Sequence, residues 1–303
     1  MIFTYENDSK ERLDSYLTSV MTGMSRSHIS GLIKKGKILL NNEQVKAGEK
    51  LEYGDVIEVF EEMPEDTEII PEDIPLDIYY EDDDVIVVNK PKDMVVHPAP
   101  GHYTGTLVNA LMYHCKDSLS GINGALRPGI VHRIDKDTTG LIIACKNDRA
   151  HASISKQLSE HSITRRYIAL VYNNIKEDNG TVTGNIGRSD KDRKKMAVVR
   201  DTEGRHAVTH YRVLERFGDI TMVECALETG RTHQIRVHMS HIGHPLLGDD
   251  VYGIKKDKFD GNGQYLHAAV LGFVHPTTGE YIELRAELPE YFKKTVDKLR
   301  AAN

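Results

Sequence analysis

Residues 129–146 read Gly-Ile-Val-His-Arg-Ile-Asp-Lys-Asp-Thr-Thr-Gly-Leu-Ile-Ile-Ala-Cys-Lys. The ends of this stretch, Ile130-Val131 and Leu141-Ile142-Ile143-Ala144-Cys145, are short apolar runs of strand type. Between them lies a polar loop with His132, Arg133, Asp135, Lys136, Asp137, Thr138 and Thr139, closed by Gly140. A hairpin whose Asp and Thr side chains bond the turn backbone accounts for part of this composition. It does not account for a loop too long for a tight turn, or for two carboxylates set beside two cations. A polar loop held between buried strands presents chemistry on a rigid base. Its candidate partners lie far down the chain, at Tyr167 and Arg236.

Working outward, residues 84–91 read as a strand ending in a proline turn, and 106–114 as a helix. Beyond the loop, 147–161 has helical spacing, with Ile154 and Leu158 four apart. Arg165 to Tyr172 alternates as a strand, and further strand-like runs occupy 180–186, 206–214 and 219–228. A helix is expected to begin near Thr229, and strand 280–286 precedes a helix over 289–301. Short alternating strands with irregularly placed helices predict an α+β fold: a mixed, mostly antiparallel sheet with flanking helices, rather than a doubly wound one. This larger domain is expected over 76–303.

Residues 1–60 look like a separate small domain. Leu13 and Leu17 begin a helical pattern, Ser25-Arg26-Ser27 offers an N-cap to a second helix with Ile29, Leu32 and Ile33 on one face, and short strands follow. Basic residues gather here: Arg12, Arg26, Lys34, Lys35 and Lys37. Residues 61–75 read as an acidic, proline-containing linker. The net charge of −7 hides an asymmetry, because residues 61–84 hold twelve Asp/Glu and no Lys or Arg. The remainder carries 39 basic against 46 − 12 = 34 acidic residues, or +5. Local basic patches can therefore still bind a polyanion. No apolar run approaches the ~18 residues of a membrane span, and the N-terminus shows no secretory pattern. The three cysteines have the spacing of neither a disulfide framework nor a zinc cage. A cytoplasmic protein is expected.

A second constellation runs Gly230-Arg231-Thr232-His233-Gln234-Ile235-Arg236-Val237-His238, continued by His244-Pro245-Leu246-Leu247-Gly248-Asp249. On a helix, Thr232, Ile235, His238/Met239 and Ile242 share a face. The three-residue spacing of His238, His241 and His244 invites a metal, but neighbouring arginines repel a cation and no carboxylate or Cys is interleaved. No metal is expected, and these histidines read as solvated or as facing a bound polyanion.

The segment His132-Arg-Ile-Asp-Lys-Asp-Thr-Thr-Gly-Leu141 resembles the signature of the RluA-type RNA pseudouridine synthases. Arg166 and Tyr167 within a strand, Gly230–His238 and His244–Asp249 resemble the family's other blocks. Residues 11–60, with Arg-Leu-Asp, Ser-Arg-Ser, Leu-Ile-Lys-x-Gly and Gly-Asp-x-Ile-Glu-Val in order, resemble the S4 RNA-binding domain. Together they point to family members that act on large-subunit (23S) ribosomal RNA. The resemblance implies the pseudouridine synthase fold and isomerisation of uridine: the N1–C1′ bond breaks, the uracil rotates, and C5 joins C1′. Nothing is oxidised and no group is imported, so no cofactor is expected.

The chemistry needs an ionised carboxylate in a dry pocket. Burial alone would raise an Asp above ~3.9, and a guanidinium within about 4–6 Å opposes that shift. The resemblance assigns the nucleophile to Asp135, attacking ribose or base, and the guanidinium to Arg236. It assigns stacking on the uracil, with a possible proton role, to Tyr167. The uridine must be flipped out of its helix; Arg133 fills the vacated space or contacts phosphate. His132 shapes the loop, and Ile235, Arg231 and His233 are expected to contact substrate. Arg188, Lys191, Arg193, Lys194 and Lys195 form a basic turn expected to touch RNA phosphates. The competing readings are an isomerase acting on tRNA and a non-catalytic RNA-binding ribosome-assembly factor. The expected partner is 23S ribosomal RNA or its precursor, and the expected state is a monomer.

Overall fold

The structure, a computed structural model, describes residues 2–7, 9–21, 26–60, 69–99, 102–116, 118–124, 127–190, 192, 195–254 and 263–302, with His28 described in its backbone alone. Two compact units divide near residue 67. The smaller carries β1 (Ile2–Thr4), α1 (Leu13–Val20), α2 (Arg26–Lys34), β2 (Ile38–Leu40) and β3 (Val56–Val59). Its antiparallel sheet has the order β1-β3-β2. Leu13 and Leu17 of α1 and Ile29 and Ile33 of α2 meet Ile38 and Ile57 of the sheet in a closed core. The apolar positions seen in the sequence therefore face inward, and the lysines Lys34, Lys35 and Lys37 are exposed. The N-cap expected at Ser25 lies outside the described residues.

The larger unit is built on one sheet: β4 (Ile78–Glu81), β5 (Val85–Lys90), β6 (Thr139–Cys145), β7 (Thr164–Tyr172), β8 (Asn179–Arg188), β9 (Met196–Val199), β10 (Arg205–Phe217), β11 (Ile220–Leu227), β12 (Leu266–Val274) and β13 (Tyr281–Arg285). The strand order is β4-β5-β6-β12-β7-β11-β10-β8-β9, with β13 also on β12. Every described pairing in it is antiparallel except β6 with β12. The expected mixed, mostly antiparallel sheet is present.

Among the described residues four helices cover it: α3 (Leu107–Cys115), α4 (Asp148–Ser159), α5 (Gln234–His241) and α6 (Glu290–Ala302). Side chains along β6 alternate between two cores, as a period of two requires. Ile142 and Ala144 join α3 and α5 on one face. Leu141, Ile143 and Cys145 join α4 on the other. The central strands are buried on both faces, which is why they read as continuous apolar runs. Asn147 caps α4 by accepting from the Ala150 N–H at 2.9 Å.

Four expectations are corrected here. Ile130-Val131 is not a strand: Ile130 makes only an isolated bridge to Ala144. Part of the segment read as linker, from Ile69, belongs to the larger unit. Ile69 is buried in its core, and the Asn109 side chain donates to the Ile70 carbonyl at 2.8 Å. The helix expected near Thr229 starts at Gln234, because His233 has a left-handed backbone (φ 56°) that a helix cannot contain. Thr232 is therefore outside it, while His238 lies on its inner face with Ile235 and Met239 and is fully buried rather than solvated. Among the described residues no helix is long and apolar enough to cross a membrane.

Candidate active site

The Asp135 loop is held by two inward-facing groups that flank it. Lys90, the last residue of β5, is wholly buried, and its ammonium donates to the carbonyls of Pro91 (2.7 Å), Met94 (2.9 Å) and Lys136 (2.9 Å). It ties the 91–94 turn to the loop. Burial pushes Lys90 down to about 7, but the three carbonyls match the three N–H groups of its charged form. His132 accepts from the Ile143 backbone N–H through Nε2 at 3.2 Å. Burial, helped by the Arg165 charge, pushes this imidazole down to about 3, so it stays neutral and able to accept. At the loop's end Gly140 has φ 110°, and a Cβ there would stand 2.3 Å from the Ala268 carbonyl oxygen. Only glycine allows β6 to enter the sheet beside β12.

The loop delivers Asp135 to Arg236, in the first turn of α5. Arg236 Nη1 donates to Asp135 Oδ2 at 2.9 Å. The rest of the guanidinium fork is fixed from behind: Nε and Nη2 donate to Asp249 Oδ2 (2.7 Å) and Oδ1 (2.8 Å). Asp249 in turn accepts backbone N–H groups of Val251 (3.0 Å) and Tyr252 (2.9 Å). Burial opposes the Arg236 charge, but Asp249 and then Asp135 more than offset it, and its pKa is raised. Burial would raise the Asp249 carboxyl; Arg236 and the two backbone donors hold it low instead. The Tyr252 ring packs against Arg236, with the guanidinium carbon 5.2 Å from its centre.

With Oδ2 engaged, Asp135 Oδ1 has no hydrogen bond among the described residues; His233 Nε2 is nearby at 3.7 Å. The His233 Nδ1 lies 2.9 Å from the Tyr252 hydroxyl, which accepts the Met196 N–H. That hydroxyl's own proton is thus free to donate to Nδ1, which places the imidazole N–H on Nε2, toward Asp135. The Asp135 side chain is 20% exposed and opens onto a cleft of about 540 Å³. Asp135, Tyr167, Arg236, Arg133, His132, Ile235, Arg231 and His233 all line it, so residues from three parts of the sequence meet there. Tyr167, on β7, is nearly buried; burial raises its hydroxyl pKa above the ordinary value.

Other expected residues fall elsewhere. Lys195 donates to the Val251 carbonyl at 2.7 Å, bracing the loop behind Asp249. Arg188 ends β8; Lys191, Arg193 and Lys194 lie outside the described residues. In the smaller unit, Arg12 and Arg26 both donate to the buried Asp14, at 2.9–3.0 Å and 3.1 Å. Half of each arginine side chain remains exposed. His238 turns to the Thr209 hydroxyl at 3.0 Å and His244 to the Tyr172 carbonyl at 3.1 Å, each bound separately within the fold. The sequence reading missed Asp249, Tyr252, Lys90 and Arg165. Asp249 was visible only as a charged residue ending an apolar block, and nothing local marks a carboxylate as a buried fork.

The chain is similar to known proteins along most of its length. The family pattern for RNA pseudouridylate synthase matches residues 84–241, and that for the S4 domain matches residues 11–57. An uncharacterized RNA pseudouridine synthase, YlyB, of Bacillus subtilis strain 168 is 55% identical over 295 residues, covering 97% of this chain and 96% of that protein. The ribosomal large subunit pseudouridine synthase D of Zymomonas mobilis is 46% identical over 302 residues, covering 96% and 95%. The structure of human RNA pseudouridylate synthase domain containing 1 is 27% identical, covers 79% of this chain and 98% of its own, and superposes with a TM-score of 0.57. A carboxylate held by a doubly anchored arginine in an arginine-lined cleft thus sits within a fold and a sequence pattern of one kind, and the chain belongs to the RNA pseudouridylate synthase family, as an isomerase with an S4 domain.

Proposed function

We propose that this enzyme converts uridine to pseudouridine in large-subunit (23S) ribosomal RNA, with Asp135 as the nucleophile on a flipped-out uridine. The observation that carries the reading is the division of labour at the carboxylate. Arg236 takes Oδ2 at 2.9 Å, and Oδ1 is left without a hydrogen bond beside the cleft. A nucleophile needs one oxygen oriented and the other free. Attack by Oδ1 at C1′ displaces the N1–C1′ bonding pair into the uracil; the ring turns, C5 attacks C1′ and expels Oδ1 with its bonding pair, the C5 proton leaves, and N1 gains a proton. In attack on the base, Oδ1 adds at C6, the N1–C1′ bond breaks and C5 joins C1′ within the adduct, and Oδ1 leaves C6 as the C5 proton is lost. Either way the carboxylate is regenerated, so atoms and charge balance with nothing imported.

Tyr167 supports a stacking role above all. Its raised pKa keeps the phenol neutral near pH 7, which suits a ring face against uracil better than a base. Arg133, Arg165, Arg231 and Arg236 line the cleft against Asp135, its lone carboxylate among the described residues. Such a surface draws a polyanion. In the S4 unit, the exposed Lys34, Lys35 and Lys37 and the outer halves of Arg12 and Arg26 support the same partner. The ribosomal substrate follows the relatives that carry it in their names and are 46% and 42% identical.

The test is tritium release from [5-³H]uridine-labelled RNA, followed by mapping of pseudouridines. An unmodified 23S transcript should release tritium at a small set of fixed uridines. Release from tRNA transcripts alone would move the activity to the alternative substrate, and release from neither would leave a binding protein.

A further inference from the structure

Arg165 lies two residues before Tyr167 on β7, so strand alternation puts both side chains on one face, and both line the cleft. Its residue is 8% exposed, yet among the described residues no carboxylate pairs with it. Nη2 donates to the Glu228 carbonyl at a long 3.2 Å, and Nε is buried with no partner. The neighbours that bear on its charge are the Tyr167 hydroxyl and another cation, Arg231. Room for the guanidinium is built in: a Cβ at Gly230 would stand 2.6 Å from Arg165 Nη1.

This is the reverse of Arg236, whose burial is balanced by Asp249 and Asp135. A guanidinium keeps its proton in proteins, so Arg165 carries a desolvated charge without an opposite one. An unpaired buried charge is costly to the fold, and an anion from outside the chain would offset that cost. Asp135, the lone carboxylate on the cleft wall among the described residues, is already bonded to Arg236. Tyr167 is a neutral phenol, and a uracil ring is neutral. The anions an RNA brings are its phosphates. Arg231 stands ready on the same wall, with Nε on the His206 carbonyl at 2.9 Å and no carboxylate partner among the described residues.

We infer that Arg165, with Arg231, forms a backbone-phosphate subsite inside the cleft, which takes the phosphate of the extruded nucleotide or its immediate neighbour. Base stacking and phosphate capture then act from a single strand, Tyr167 on the ring and Arg165 on the backbone. This extends the reading of the cleft as an RNA uridine site and rests on it.

The test compares wild type with Arg165→Met and Arg165→Lys, binding an unmodified 23S transcript across a salt series. Met keeps the length of the chain but not the charge. Arg165→Met should weaken binding about 10- to 100-fold at low salt, the range of one charge-assisted hydrogen-bonded contact. It should also flatten the slope of log K against log salt by about 0.7–0.9, one released counterion. Arg165→Lys should keep the wild-type slope. Without RNA, Arg165→Met should unfold at a higher urea concentration than wild type, because an uncompensated buried charge is gone. An unchanged slope overturns the subsite, including the case in which affinity falls equally at every salt concentration, the mark of a structural role. So does a lower urea midpoint. Tritium release by the wild type in the same samples separates the two levels. If it is absent, the isomerase reading fails, while the slope still reports whether Arg165 meets a phosphate.

Discussion

Asp249→Asn is the perturbation that bears hardest on how the site is held. The Asp249 side chain has no exposed surface, and its two oxygens accept both ends of the Arg236 fork, at 2.7 and 2.8 Å. An asparagine has the same shape but one acceptor oxygen. If that oxygen keeps Nη2 and the N–H groups of Val251 and Tyr252, the amide NH₂ faces the Arg236 Nε–H, donor against donor. Arg236 is then left with Asp135 and the more distant Asp250, 3.6 Å away and 71% exposed. Breaking a buried pair from one side costs about 3–5 kcal/mol. Against a total of ~5–15 kcal/mol the variant still folds, with a lower urea midpoint. Catalysis should suffer more. The Arg236 Nη1 to Asp135 contact is set by the fork behind it, and a displacement of about 1 Å at such a contact costs ~10²-fold. Single-turnover tritium release should therefore slow by about 10²- to 10³-fold, while RNA affinity holds, because Asp249 is not on the cleft wall. Asp250→Asn, its exposed neighbour, is the control and should change neither. A folded Asp249→Asn enzyme that turns over within about threefold of wild type, well short of that factor, would refute the anchoring argument.

Two further outcomes follow from the same framework. Gly140→Ala places a Cβ 2.3 Å from the Ala268 oxygen at φ 110°, so it should cost more than ~4 kcal/mol and yield insoluble protein; a soluble variant with a near-native urea midpoint would contradict the register of β6 on β12. Burial pushes His97, His238 and His267 each down to about 4, against ~6.5 when unfolded. The unfolded chain therefore binds these three protons first. Their contribution is complete above about pH 6.5 and is lost as pH falls toward 4, with a slope of up to about 4 kcal/mol per pH unit. Urea titrations at pH 7, 6 and 5 check this, and a flat profile would show that the three imidazoles titrate normally.

Much of the site was legible because its chemistry is concentrated in short polar segments bounded by apolar ones. Asp135 and Arg236 are 101 residues apart, yet each stands in a segment whose charge a simple turn or helix does not need. The strands around them were legible where one face is less buried, as at Arg165–Tyr172. Leu266–Val274 was not, although β12 is central and pairs with β6, β7 and β13. It is buried on both faces except at its last residue, so nothing alternates. The start of α5 was misplaced because the Thr229 and Gln234 side chains brace the preceding turn through one hydrogen bond at 2.7 Å, a tertiary choice that periodicity does not record. Lys90 was seen as the polar end of a strand. That its ammonium sits inside, bonded to three carbonyls 46 or fewer residues away, depends on how two loops close over it.

The account rests on Asp135 itself, and Asp135→Asn tests it without altering the size of the side chain. With unmodified 23S transcript in single-turnover conditions, the variant should release no tritium above background while binding the RNA as tightly as wild type. Release at a rate near that of the unaltered enzyme would show that the free oxygen facing the cleft does not attack the uridine.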